Sequence, residues 1–95
     1  MRSPPPPPRL TLDALLPGEF GIVDALDGEG PIVQRLRDLG LVPGTPVQVL
    51  RRAPLGDPTE YELRGYRLCL RETEARRVLV RRQPVARALS TESAA

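Results

Sequence analysis

The side chains that usually carry chemistry are scarce in this sequence. It holds one cysteine, Cys69, and no histidine, lysine or tryptophan. Without histidine, the usual general acid or base and the commonest neutral metal ligand are both missing. Cys69 stands two residues from Arg67 and from Arg71, whose charges could favour a thiolate. A nucleophile also needs a base beside it, and none is in view. The preferred reading of Cys69 is a half-buried strand position. Two carboxylate pairs, Glu60/Glu62 and Glu72/Glu74, have i, i+2 spacing. On a strand that spacing places both groups on one face, a solvated surface before an acid–base dyad. Hard-oxygen metal sites could be drawn from Asp24, Asp27 and Glu29, or from Asp57 with Glu60. Asp27-Gly28-Glu29-Gly30 reads first as a turn. No G-x-x-x-x-G-K-[ST] occurs, nor G-x-G-x-x-G after a strand, so no phosphate cradle is predicted.

Glycine and proline divide the chain into the short elements that would have to position a site. Residues 1–9 contain Pro4 to Pro8, five consecutive prolines. Such a run donates no backbone hydrogen bonds and prefers an extended polyproline helix. It could dock in an aromatic groove, but a semi-rigid disordered arm is the expectation. Residues 83–95 are rich in serine and alanine and read as a flexible tail. Residues 10–82 then form one small domain. All fourteen basic residues of the chain are arginine, and the net charge is +2. That surplus lies in the two tails, because residues 10–82 hold eleven arginines and eleven acids.

Within the domain, Glu19–Asp27 is apolar and flanked by glycines, which predicts a strand. Gly30-Pro31 opens a helix over Pro31–Leu39, with Ile32, Val33, Leu36 and Leu39 on one face and Gly40 as its cap. Leu41–Thr45 reads as a turn and Pro46–Ala53 as a strand. Pro54–Pro58 is a loop rich in breakers. Thr59–Arg64 and Arg67–Arg71 alternate as strands around a turn at Gly65-Tyr66. Glu72–Arg76 is one helical turn, and Arg77–Arg82 closes the domain as a strand. Five short strands with one helix indicate an all-β fold, a small antiparallel barrel. The expected core is Leu12, Leu16, Ile22, Ile32, Leu36, Leu39, Val47, Val49, Tyr61, Leu63, Leu68, Leu70, Val78 and Val80.

Several function classes drop out on these grounds. No apolar run approaches the roughly 18 residues needed to cross a bilayer, and no secretory signal is expected. A single cysteine suits a reducing cytoplasm. Nucleic acid is not expected as a partner either. The arginine pairs 51/52, 76/77 and 81/82 would point to opposite faces of a strand, the domain is neutral, and its aromatics are Phe20, Tyr61 and Tyr66 alone. A protein-binding surface remains. Leu41 and Val42 beyond the helix cap, and Leu55 between two prolines, are candidates for exposed apolar contacts. The competing reading has Leu41 and Leu55 plugging the ends of the barrel.

Two motifs in order carry a family resemblance. They are Leu39-Gly40-Leu41-Val42-Pro43-Gly44 and Ala53-Pro54-Leu55-Gly56-Asp57-Pro58. With the alternating hairpin and the closing Arg77-Val78-Leu79-Val80, the span from about Leu12 to Arg82 resembles the FeoA family. The resemblance implies a small SH3-like, five-stranded antiparallel β-barrel with one short helix. It implies a cytosolic, non-enzymatic accessory of ferrous iron uptake that binds the cytosolic region of a FeoB-type transporter. Leu39, Gly40, Leu41, Val42, Pro43, Gly44, Pro54, Leu55, Gly56, Asp57 and Pro58 become the candidate partner-binding residues. Related domains form the C-terminal part of iron-dependent repressors, so the alternative is a transition-metal-responsive regulatory module. There, a carboxylate and an amide just before the helix reach a metal held mainly by another domain. Glu29 matches that carboxylate, but Ile32 stands where the amide would be. No cofactor is therefore expected, with Glu29 kept as a weak ligand candidate for Fe2+ or Mn2+. Weak self-association is left open.

Overall fold

The computed structural model describes residues 9–83. The proline run and the serine- and alanine-rich tail lie outside them. The elements in chain order are β1 (Arg9–Thr11), a 3-10 turn (Leu12–Ala14), β2 (Phe20–Leu26), α1 (Pro31–Asp38), β3 (Pro46–Arg52), β4 (Thr59–Leu63), β5 (Tyr66–Leu70), α2 (Glu72–Ala75) and β6 (Val78–Gln83). The strands form one sheet in the order β1-β6-β2-β3-β4-β5, antiparallel throughout.

Two features depart from a five-stranded barrel. The sheet has six strands, and its edge strands β1 and β5 do not pair with each other. The additional strand is β1, held by β6 through Arg9↔Arg81, Leu10↔Val80 and Thr11↔Leu79. Three residues carry too little alternation to announce a strand, and their state is set by a partner some 70 positions away in the chain. Arg9 and Gln83, expected in the arm and the tail, are end residues of β1 and β6.

One core unites the elements. Leu12 and Leu15 of the 3-10 segment, Val23 of β2, Leu36 of α1, Val47 and Val49 of β3, Tyr61 and Leu63 of β4, Leu70 of β5, Ala75 of α2 and Val78 and Val80 of β6 form a single buried cluster. Leu10, Leu26, Leu39 and Leu68 pack against it. Leu16 and Ile32, expected in the core, are 56% and 42% exposed. In a 3-10 turn, residues three apart share a face. Leu15 therefore follows Leu12 inward and Leu16 turns out. On α1 the inward stripe is Val33 and Leu36.

Strand β2 runs in the opposite phase to the one expected. Gly21 and Val23 face the core, and Ile22 is only half-buried. Gly21 has no side chain to announce its direction, yet it is the point of closest approach. A Cβ there would stand 3.0 Å from Leu15 Cδ1 and 3.3 Å from Val80 Cβ. The register against β6 then shifts between Val23 and Ala25. This bulge returns Ala25 and Leu26 to partners Leu79 and Val78.

Candidate functional site

Both candidate motifs are loops, and each has a local cause. The first stops α1. Gly40 adopts φ +104, the left-handed region that glycine enters without a Cβ penalty. Its N–H reaches the carbonyl of Arg37 at 3.0 Å, and the Leu41 N–H reaches that of Leu36 at 3.1 Å. This is the Schellman arrangement, in which the residue after the glycine turns an apolar side chain back onto the helix. Leu41 is accordingly 0% exposed. Of the two readings of Leu41, exposed contact or plug, the structure has the plug, and its place among the candidate contacts is corrected. Leu39 and Val42 are half-buried, and Pro43 and Gly44 are exposed.

The second loop joins β3 to β4. The Ala53 N–H bonds to the Pro58 carbonyl at 3.0 Å, and the Gly56 N–H bonds to the Ala53 carbonyl at 2.7 Å. The Asp57–Pro58 peptide is cis. These bonds hold up a tip on which Leu55 is 97% exposed, so Leu55 plugs nothing. Asp57 Oδ1 accepts the Glu72 N–H at 2.9 Å, capping α2 from outside the helix. A groove of about 480 Å³ runs beside this loop, walled by Ala53, Pro54, Pro58 and Cys69. The thiol of Cys69 is exposed, where a half-buried position was expected, because β5 lies at the edge of the sheet.

The structure does not bring the two motifs together. They sit at opposite ends of β3, a strand of seven residues, which separates them by roughly 20 Å at 3.3 Å per residue. They do not form a single composite patch.

Of the carboxylates considered for metal, Asp24, Asp57 and Glu60 are engaged with arginine or backbone. Asp24 lies between Arg9 and Arg81, pairing with Arg81 at 3.5 Å. Glu60 pairs with Arg51 at 3.1 Å. Glu72 pairs with Arg76, and Glu74 with Arg35. Glu29 is exposed on the turn before α1. Among the described residues, no three His, Cys, Asp or Glu side chains gather where they could hold a metal ion. Among the described residues, the buried titratable group is Tyr61, 1% exposed. Burial pushes its phenol up to about 12, against smaller opposing influences of Thr59 and Arg52.

Exposed apolar groups that the sequence reading passed over are Leu16, at 56%, and Tyr66, at 40%. For Leu16 the available signal was the three-residue repeat with Leu12 and Leu15. For Tyr66 it was the Arg64-Gly65 pair, both residues at positive φ, which moves the hairpin turn one residue earlier than expected and makes Tyr66 the first residue of β5.

The described residues thus form a small open β-sheet with an exposed apolar loop tip and no gathered metal-binding side chains. The chain belongs to the FeoA family: the FeoA domain model matches residues 10–82. A relative in Porphyromonas gingivalis, an Fe(2+) transport protein A/Fe(2+) transporter FeoB fusion protein, is 30% identical over 71 residues. Those residues are 75% of this chain and 8% of the fusion protein. The FeoA-like protein of Clostridium acetobutylicum superposes with a TM-score of 0.76 at 32% identity, over 80% of this chain and 88% of that one. The zinc complex of Stenotrophomonas maltophilia FeoA, described as an SH3 domain protein, superposes at 0.68 with 32% identity, over 75% and 88% of the two chains. The fold is SH3-like on that likeness. A manganese-dependent transcriptional repressor shares the fold at 20% identity and a TM-score of 0.72, over 83% of this chain and 44% of the repressor chain. Among the described residues no helix is long and apolar enough to cross a membrane.

Proposed function

We propose that this chain is a cytosolic, non-enzymatic accessory of ferrous iron uptake that acts by binding the cytosolic region of a FeoB-type transporter. The observation that carries the reading is the Porphyromonas gingivalis relative, in which a domain 30% identical to this one is continuous with a FeoB transporter. Fusion holds two modules at an effective concentration of order millimolar, so even a weak contact between them is populated. The engagement of Asp24, Asp57, Glu60, Glu72 and Glu74 supports action by contact rather than through a bound ion. The second loop is the better docking candidate of the two. Its Leu55 tip is open and held by Ala53 and Pro58, which lowers the ordering cost of binding.

The test is capture of the transporter's purified cytosolic region by the wild-type chain, Leu55→Asp and Val42→Asp. Wild-type capture is expected, with Leu55→Asp weakening it by more than about 1 kcal/mol, as a contact near the centre of an interface would. No capture by the wild type overturns the reading. Titration calorimetry with ferrous or manganous ion gives little heat on this reading. A stoichiometric heat that Glu29→Gln abolishes would instead favour a metal-responsive module.

A further inference from the structure

The sheet has a free edge whose chemistry selects an occupant. β5 ends the strand order, and no strand among the described residues pairs with its outer side. The β4–β5 hairpin turns through Arg64 and Gly65 alone. In a two-residue hairpin the residues flanking the turn exchange hydrogen bonds, and bonded pairs then alternate along the ladder. Leu63↔Tyr66, Tyr61↔Leu68 and Thr59↔Leu70 are therefore the bonded pairs. Arg67 and Cys69 direct their N–H and C=O groups away from β4. Both residues are exposed. Outward-facing donors and acceptors in a row are a template for a further strand.

The side chains beside that template define what fits. Arg67 and Cys69 alternate with inward residues and so share the outer face of the sheet, and Arg71, still extended as the N-cap of α2, continues that alternation one step past the strand. Arg9, Arg35, Arg51, Arg76, Arg81 and Arg82 each hold a carboxylate. Among the described residues, Arg67 and Arg71 enter none of these ion pairs. Between them, Cys69 forms one wall of a groove lined also by Ala53, Pro54, Pro58, Arg52 and the Arg51–Glu60 ion pair. The outermost strand and its next residue thus present Arg67, Cys69 and Arg71 in turn, with Glu62 and Glu60 of β4 opposite Arg67 and Cys69 on the inner side.

We propose that the β5 edge takes up an extended acidic peptide as a seventh strand, with the pattern acid–x–apolar–x–acid. Antiparallel pairing sets the apolar residue opposite Cys69, beside the groove, and one acid opposite each of Arg67 and Arg71. A second copy of this chain is the poorer occupant. Symmetric β5–β5 pairing centred on Cys69 would oppose Arg67 and Arg71, and pairing centred on Leu68 gives neither arginine a carboxylate. The proposal concerns a strand and a peptide chemistry, and stands whether or not the transporter is the partner.

The test uses the full chain, labelled with nitrogen-15, and a synthetic heptapeptide with glutamates two residues either side of a central leucine. Two controls are the glutamine analogue and the same peptide N-methylated at the leucine. The glutamate peptide is expected to shift the Arg67, Leu68 and Cys69 amide resonances and to slow hydrogen exchange at Arg67 and Cys69. The glutamine analogue should bind about 5-fold more weakly or worse, the worth of two exposed ion pairs, and the N-methylated peptide should not bind. Arg67→Glu with Arg71→Glu should lose the glutamate peptide and take up its lysine counterpart. The spectrum of that variant reports its folding, and the N-methyl control leaves the protein untouched. Absent binding, equal binding of the glutamine analogue, resonance shifts away from β5, or self-association of the chain through β5 would each overturn the proposal.

Discussion

A single missing methyl group sets the packing of β2. Gly21 faces Leu15, Val80 and the Arg81 carbonyl, which a Cβ would meet at 3.0, 3.3 and 3.4 Å. None of these is the far end of a flexible polar side chain. Gly21→Ala is expected to lower stability by about 1–3 kcal/mol, the range for overpacking a core, measured by urea unfolding. The sequence did not reveal this, because glycine contributes nothing to an apolar period and Ile22 beside it does. Tyr61 makes the opposite case: strict alternation along β4 placed it inward, and it is buried. Its hydroxyl makes no hydrogen bond of normal geometry among the described residues, although Thr59 stands near enough to oppose the rise in its pKa, so Tyr61→Phe should change stability by less than about 1 kcal/mol near neutral pH. The alkaline limb should differ. The folded phenol stays neutral up to about 12, whereas the unfolded one ionises near its ordinary value of about 10. Stability is full below that lower value and falls as pH rises between the two, by about 1.4 kcal/mol per unit. Equilibrium unfolding of the wild type and Tyr61→Phe between those pH values checks it, the variant lacking this slope.

At the level of elements, the resemblance motifs and the docking surface come apart. Leu41 and Leu55 shared the same two readings, exposed contact or plug, because both are apolar and sit beside glycine and proline. The helix stop separates them: the Leu41 N–H bonds to the Leu36 carbonyl, and its side chain closes the core. Leu41→Ala should cost about 2–5 kcal/mol by thermal or urea unfolding, as for other buried leucines. Leu55→Ala should stay within about 0.5 kcal/mol of wild type, as for an unengaged surface residue. Element type was legible wherever punctuation was strong, as at Pro31 and Gly40 around α1, and wherever alternation was clean, as in β4. It was not legible in β1, which exists only because β6 offers it a partner.

Over the whole molecule, charge is spread in matched local pairs rather than gathered into a field. Among the described residues, the six arginines of seven ion pairs lie in β1, α1, β3 and β6 and just after α2, with side chains largely or partly in water. Raising sodium chloride from about 0.05 to about 0.5 M should therefore change the unfolding free energy by no more than about 1 kcal/mol. The fold class was legible at this scale from short strands and turns. The open seam between β1 and β5 was not, since strand count alone does not reveal which strands meet.

The pairing of Arg9 with Arg81 has one more effect. Facing residues in antiparallel strands lie about 5 Å apart, so the polypeptide enters and leaves the domain through the same doorway. A rearranged gene that bridges Gln83 to Arg9 with a few glycines, and starts the protein at Gly56 instead, should give a cooperatively melting β-protein. The same geometry lets the domain be grafted at either end onto a larger polypeptide without stretching either junction.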